Sequence, residues 1–510
     1  MTDLLEINNL IVSFQSNSEE TLAVKGASLC LGAGETLALV GESGCGKTVL
    51  CKSILRILDD SGNVRGGYII LNSGTSIINL TNMSEKDILP LRSSEIAMVF
   101  QDPMTSLNPA FSVGDQIAEV IRIHGVRREG ADVSFERRPV SATEAKQRAV
   151  ELMKLVAIPH AESRYSQRPY QFSGGMRQRI VIAIALAGSP KILLADEPTT
   201  ALDVETQAEI LALLKDVQQQ TGVGILFITH DLSLVEGMAD RVAIMKDGVI
   251  VETGPVDTVF TAPQHEYTKK LLGFLDYSRG EGHHHRSVTH SHEHTHSAVE
   301  LVGGVHGDVV LDIRSLTKEF SHGAVLDNFS LTVYEGEIVG LVGRSGSGKT
   351  TLARCIMGIE KPDSGEIRFA SDIKRQMIFQ DSASAFNDRL TVEKIIAEPL
   401  VVAASRPSHP VMRERVLHVM KLVELPEDFA SRKPYELSGG QRQRVAIARA
   451  LITDPDFIIA DEPLTGLDVT AQAQIVHLLK RLSETESLTI LFIAHDLPMV
   501  NHISNRVIEM

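Results

Sequence analysis

The chain has 510 residues, 43% of them apolar, and a formal net charge of −15, enough length for about three domains of ordinary size. That acidity argues against a nucleic-acid surface, and the four cysteines, Cys30, Cys45, Cys51 and Cys355, show no paired spacing, which excludes a disulfide framework or a cysteine metal site and points to a reducing compartment. No signal pattern stands at the start, and apolar runs such as 180–187 fall far short of the ~18 residues a spanning helix needs, so a soluble protein, or one held on a membrane by a partner, is expected.

Taken in chain order, the first informative stretch is Gly41-Glu-Ser-Gly-Cys-Gly-Lys-Thr48, between the apolar run Thr36–Val40 and the amphipathic run Val49–Leu55. Glycines at these positions let backbone N–H groups curl around phosphate oxygens, and the helix that follows favours negative charge at its start. Lys47 reaches terminal phosphates, and the Thr48 hydroxyl is placed to hold Mg²⁺. Cys45 inside the loop reads either as a small filler or as a thiol of lowered pKa near a helix start.

The same pattern returns as Gly343-Arg-Ser-Gly-Ser-Gly-Lys-Thr350, and other stretches return with it. Ser173-Gly-Gly-Met-Arg-Gln-Arg179 matches Ser438-Gly-Gly-Gln-Arg-Gln-Arg444, Leu194-Ala-Asp-Glu-Pro198 matches Ile459-Ala-Asp-Glu-Pro463, and Phe227-Ile-Thr-His-Asp231 matches Phe492-Ile-Ala-His-Asp496. The offset falls from 302 (349 − 47) to 279 (380 − 101) and then to 265 (438 − 173), so the first half carries extra residues in two places. One, around 61–94, alternates apolar runs with turn residues and predicts a hairpin region. The other, within 121–148, is charged and predicts mostly helix after a loop at 127–130.

Between the halves, Ser278 to Gly307 holds His283, His284, His285, His290, His292, His294 and His296. Its polar composition predicts a flexible linker. Closely spaced imidazoles chelate Ni²⁺ or Zn²⁺, and a solvated linker that meets metal only incidentally is the other reading. In each half, short apolar strands ending in polar motifs alternate with helices, which predicts a largely parallel sheet with ligands at the strands' carboxyl ends.

Both halves resemble the ATP-binding cassettes of ABC transporters, and the likeness covers nearly the whole chain except the linker. Ser-Gly-Gly-x-Arg-Gln-Arg shortly before an apolar run and Asp-Glu is its most specific sign. Within that superfamily, Gln101-Asp-Pro-Met-Thr-Ser-Leu-Asn-Pro109, Arg168-Pro-Tyr-Gln-Phe-Ser-Gly-Gly-Met176 and His265-Glu-Tyr-Thr-Lys-Lys-Leu-Leu272 resemble the dipeptide, oligopeptide and nickel importer class. The fold this implies is α/β: two tandem P-loop NTPase domains of the ABC type, at 1–277 and 308–510 with the linker 278–307 between them. Each would have a mainly parallel core sheet, an antiparallel β region and a helical subdomain. The second half ends at Met510, the counterpart of Met245 (510 − 265), and so is the shorter.

The resemblance also implies roles. Gly41, Glu42, Ser43, Gly44, Cys45, Gly46, Lys47 and Thr48 would bind nucleotide, as would Gly343, Arg344, Ser345, Gly346, Ser347, Gly348, Lys349 and Thr350. Asp196 and Asp461, with Thr48, Thr350, Gln101 and Gln380, would attend Mg²⁺. Glu197 and Glu462 would align or deprotonate the attacking water, Gln101 and Gln380 would sense it, and His230 and His495 would contact the γ-phosphate. Such an array suits phosphoryl transfer, which needs mainly positioning and charge neutralisation. Phe14 and Phe320 resemble adenine-stacking aromatics, though an isolated Phe also suits a core.

In the family two cassettes pair head to tail, so each loop would be completed by the other half's signature. Lys47, Thr48, Gln101, Asp196, Glu197 and His230 would face Ser438, Gly439, Gly440 and Gln441. Lys349, Thr350, Gln380, Asp461, Glu462 and His495 would face Ser173, Gly174, Gly175 and Met176. The expected function is an ATPase, with ATP and Mg²⁺, that drives a peptide or nickel importer from the cytoplasmic face of the inner membrane. Its partners would be permease subunits and, through them, a solute-binding protein, with no direct nucleic acid. The alternative, a soluble twin-cassette factor acting on ribosomes or nucleic acid, would carry basic patches and a long charged helical linker. An exporter ATPase is disfavoured by the importer-class motifs.

Overall fold

In the computed structural model the chain divides into two compact units, Met1–Leu272 and Gly273–Met510. The structure describes residues 3–16, 19–72, 77–101, 103–127, 137–200, 202, 204–279, 307–320, 323–343, 346–380, 386–402, 407–494 and 497–510. The His-rich stretch 283–296, Arg344, Ser345 and His495 lie outside the described residues.

The sheet that carries the first phosphate loop is built on three short strands, Thr36–Val40, Ile192–Asp196 and Gly224–Thr229, buried at every position. Strands covered on both faces need continuous apolar runs rather than alternation, which is what these sequences supply. Across the six-stranded sheet the order is Val249–Pro255, Arg241–Lys246, Thr36–Val40, Gly224–Thr229, Ile192–Asp196, Ile96–Val99. All neighbours are parallel except the first pair, so the inner strands all end on one edge.

An antiparallel sheet of Glu19–Gly32, Asp3–Ser16, Gly62–Asn72 and Ile77–Asn79 forms a second layer. Its buried positions change phase along Asp3–Ser16, from Leu5 and Ile7 to Leu10 and Val12. The cause is a bulge in which Asn9 takes φ 47°, one extra residue restoring the inward face. Leu5, Ile7, Leu10 and Val12 then share one hydrophobic cluster with Leu50 and Ile54 of the helix Lys47–Leu55 and with Leu37 and Leu39 of the parallel sheet.

The second unit repeats the plan. Arg375–Ile378, Phe457–Asp461, Thr489–Ile493, Ile338–Val342 and Arg506–Glu509 make an all-parallel sheet, and Gly323–Tyr334, Val309–Phe320 and Ser364–Phe369 make the antiparallel one. The bulge recurs at Ser315, φ 49°, between buried Ile313 and Leu316. Each unit adds a helical part, Val113–His124, Ala142–Leu155 and Gly174–Leu186 in the first and Val392–Val402, His409–Leu422 and Gly439–Leu451 in the second.

The two extra stretches of the first half behave differently. In the first, Ile70–Asn72 pairs antiparallel with Ile77–Asn79, the expected hairpin region. In the second, the described residues hold a two-residue strand pair, Val126 with Arg138 and Arg127 with Arg137, before the helix Ala142–Leu155 begins under a Ser141 cap. Of the expected loop at 127–130, Arg127 is instead paired, an extended pair satisfying backbone groups that a charged, aperiodic sequence does not signal, and 128–130 lie outside the described residues. No helix among the described residues is long and apolar enough to cross a membrane.

Phe227 and Phe492 are fully buried at equivalent places in the central strands. Phe227→Ala is expected to lower the stability of the first unit by about 3–5 kcal/mol, read as an earlier urea midpoint for proteolysis within residues 3–272. An unchanged midpoint would contradict this packing.

Candidate active site

The helices Lys47–Leu55 and Lys349–Met357 begin without any side-chain cap, at Gly46 and Gly348 with φ 106° and 102°. Their first N–H groups are therefore open to an anion, as a helix start that binds phosphate requires. Gly46 is required twice over: its φ is left-handed, and a Cβ would lie 2.5 Å from the Ala23 carbonyl oxygen. Ser43 and Gly44, like Gly346, stand exposed at the loop's rim.

Both lysines are buried inside their own loops. Lys47 Nζ donates to the carbonyls of Gly41 at 2.6 Å and Glu42 at 2.8 Å, and Lys349 Nζ donates to Gly343 at 2.7 Å. Cys45 is buried beneath Lys47, and burial pushes its thiol pKa up. The filler reading of Cys45 holds, and the activated thiol does not.

Asp196 and Asp461 end buried strands, at 2% and 1% exposure. The Thr48 hydroxyl donates to Asp196 Oδ1 at 3.1 Å and Thr350 to Asp461 Oδ1 at 3.4 Å. Burial, with the neighbouring Glu197 carboxylate, pushes Asp196 up to about 6, and burial raises Asp461 likewise. A buried carboxylate under that strain beside a hydroxyl is an all-oxygen set of the kind Mg²⁺ takes, with few protein ligands and several places left for water and phosphate. The residues fit that ion.

Glu197 and Glu462 follow with φ 45° each, a left-handed conformation that costs a non-glycine residue about 1–3 kcal/mol. The strain is held by Glu197 N–H donating to the Ile228 carbonyl at 3.1 Å and Glu462 N–H to that of Ile493 at 2.8 Å. Gln101 Nε2 donates to Glu197 Oε2 at 2.9 Å and Gln380 Nε2 to Glu462 Oε2 at 2.7 Å. The same oxygens accept from Thr200 at 3.0 Å and Thr465 at 3.3 Å.

His230 Nδ1 lies 3.1 Å from Glu197 Oε1, close enough for an ion pair but not lined up as a hydrogen bond, and it meets no other hydrogen-bond partner among the described residues. Burial alone would raise Glu197 and lower His230. Their mutual proximity more than offsets this, so the carboxylate sits below its usual range and the imidazole above.

Ser173 and Ser438 cap the helices Gly174–Leu186 and Gly439–Leu451, accepting from Met176 N–H at 3.4 Å and Gln441 N–H at 3.3 Å. Gln441 returns the bond, its Oε1 accepting from Ser438 N–H at 2.9 Å. Met176 cannot, and its sulfur instead accepts from Arg164 Nη1 at 3.0 Å. The second glycine of the stretch serves packing: a Cβ on Gly175 would meet Thr206 Cγ2 at 2.3 Å. The Gly174 and Gly439 positions also face Leu202 and Leu467, while Gly440 faces Ala471.

The two aromatics differ. Phe14 is half-buried against the first unit's core, and Phe320 stands 45% exposed with Lys318 Nζ 5.3 Å from its ring centre. Thr200 and Thr465 escaped the sequence reading, although both follow their Glu by three residues and recur at the same 265 offset (465 − 200). The strained φ of the two glutamates had no sequence signal, since neither is a residue that favours it.

The profile of the family described as "ABC transporter" matches residues 24–200 and 326–465. The chain is 40% identical to the Glutathione import ATP-binding protein GsiA of Salmonella typhimurium and 39% identical to the protein of that name from Shigella dysenteriae, each match covering 100% of this chain and 85% of the relative. Among solved structures, RNase-L Inhibitor matches 98% of this chain and 87% of its own at 18% identity and a TM-score of 0.61, a likeness of fold. With two matched regions, and nucleotide-binding features in both units, the chain belongs to the ABC transporter family as an ATP-binding, ATP-hydrolysing protein.

Proposed function

We propose that the chain is the energy-coupling ATPase of an importer for short peptides or a related solute such as nickel, working from the inner face of the membrane through permease subunits and a solute-binding protein. The observation that carries this is the repetition of one array, Lys in a phosphate loop, Thr beside Asp, and Gln and Thr on Glu, in both units. Kinship at 40% to a protein named for glutathione import supports the solute class.

In this reading each lysine exchanges its loop carbonyls for phosphate oxygens, and the uncapped helix starts supply further N–H donors. Mg²⁺, held by Thr48 and Asp196 or by Thr350 and Asp461, would neutralise phosphate charge when bound. Glu197, kept ionised and pinned by Gln101 and Thr200, is oriented to receive a proton from, or align, the attacking water. His230, held beside Glu197 at its Nδ1, has its other ring nitrogen left to donate toward the γ-phosphate. His495 takes the same role at the second site. Phe14 and Phe320 stack adenine, Phe320 being the more open of the two.

By the family resemblance, Ser438–Gln441 would complete the first site and Ser173–Met176 the second, as in cassettes that pair head to tail. Closure around ATP is the stroke that the permease feels, through Gln101 and Gln380.

Gly46→Ala is expected to abolish ATP binding at the first site in the full chain, because both its φ and the Ala23 carbonyl oppose a Cβ; retained binding of a fluorescent ATP analogue, with the second site disabled, would contradict the loop geometry. Glu197→Gln and Glu462→Gln should each lower steady-state ATPase with the permease present, and the double substitution should reduce it by about 10²-fold or more; unimpaired turnover would falsify the assignment. Reconstituted with its membrane partners, the protein should drive ATP-dependent peptide or Ni²⁺ uptake, whereas recovery with ribosomes would favour the soluble-factor reading.

A further inference from the structure

The roles above leave Tyr267 unused, yet its phenol ends on the first phosphate loop. Tyr267 is 7% exposed, and its hydroxyl accepts from the Glu42 N–H at 3.3 Å. Burial, then the Glu42 carboxylate, pushes the phenol well up, so the hydroxyl stays protonated.

A chain of contacts aims it. The Glu252 carboxylate accepts from the N–H groups of Gln264 at 2.8 Å and His265 at 3.0 Å, fixing the start of the helix Glu266–Arg279. His265 Nδ1 in turn accepts from Tyr267 N–H at 3.1 Å, and Lys246 Nζ sits 5.1 Å from the tyrosine ring centre. The turn after Arg241–Lys246 holds the loop at a second place, Gly248 N–H donating to the Cys45 carbonyl at 3.0 Å.

The bonded peptide is the informative one. The unit joining Gly41 to Glu42 gives its N–H to Tyr267 and its carbonyl to Lys47 Nζ at 2.6 Å. Rotating that peptide plane would break both bonds together, so fixing one edge fixes where the ammonium rests. We infer that Tyr267 is a positioning residue of the first ATP site, holding the Gly41–Glu42 peptide so that the loop and Lys47 are set before nucleotide arrives. This rests on the reading of 41–48 as an ATP site. It makes the helix Glu266–Arg279, which lies outside the phosphate-loop motif in sequence, a part of nucleotide binding.

The test uses the full chain with Lys349→Ala to silence the second site and measures ATP binding by equilibrium titration. Tyr267→Phe keeps the ring and its contact with Lys246 and removes only the hydroxyl. Losing one hydrogen bond should weaken ATP about three- to ten-fold, with the thermal midpoint unchanged. Glu252→Gln, which loosens the helix start, should weaken ATP in the same direction. In a Glu462→Gln background with the permease present, Tyr267→Phe should raise the KM for ATP and leave kcat unchanged. Unaltered binding in both variants, or equal weakening in a Lys47→Ala background that reports the second site, would overturn the inference. Failure of the Lys349→Ala parent itself to bind ATP would overturn the site reading, and this inference with it.

Discussion

Ile228 pairs in register with Leu39 on one side and with Asp196 on the other. On those two ladders the first site depends. Because side chains alternate with a period of two, a slip of one residue in either ladder would turn Asp196 and its neighbours to the opposite face. In register, the phosphate loop, the Asp196–Glu197 pair and His230 leave three adjacent strands at the same edge. The second unit sets Leu341 beside Ile493, and Ile493 beside Asp461, in the same way. Hydrophobic burial of both strand faces is what enforces this register, so the cores around Phe227 and Phe492 act on the chemistry without touching it.

What sits at that edge is costly. Lys47, Asp196 and their twins Lys349 and Asp461 are buried ionisable groups, and such groups persist only where partners offset lost hydration. Here the offsets are provisional. Among the described residues the lysines are satisfied by loop carbonyls, and the aspartates by a threonine hydroxyl each. The two glutamates add backbone strain at φ 45°. Sites that hold unresolved charge and strain are suited to a ligand carrying phosphates and a divalent cation, which brings the missing counter-charges with it.

The units are alike in plan and unlike in detail. Gln441 closes a reciprocal cap at its helix start, whereas Met176 turns its sulfur to Arg164. Phe14 packs into a core where Phe320 faces solvent. The arginines that end the two signatures do the same work in both: Arg179 bonds the Val156 carbonyl and Glu209, and Arg444 bonds the Val423 carbonyl and Glu424. Those arginines tie the signature helix both to the end of an earlier helix, at Val156 or Val423, and to the later helices Val204–Thr221 and Val469–Glu486, where Glu209 and Gln474 accept from them, so the motif's far end is structural while its near end is left for a ligand.

The sequence by itself determined the repeat, the strand-to-loop order and the main polar residues of each site. These are local: a Gly-rich turn needs glycines, a doubly covered strand needs an apolar run, and both are written contiguously. It also left Thr200 and Thr465 in view at a shared offset, readable only once each is known to touch a glutamate. The tertiary structure decided what depends on distant segments meeting. The Asn9 and Ser315 bulges, the left-handed Glu197 and Glu462, the resting bonds of Lys47 and the reach of Tyr267 to Glu42 across 225 positions come from sheet register and packing. The Lys47 bonds lie within one short motif, yet no pattern of residue types announces them; for the others no window of sequence contains both partners, and their geometry is fixed only when the cores close around them.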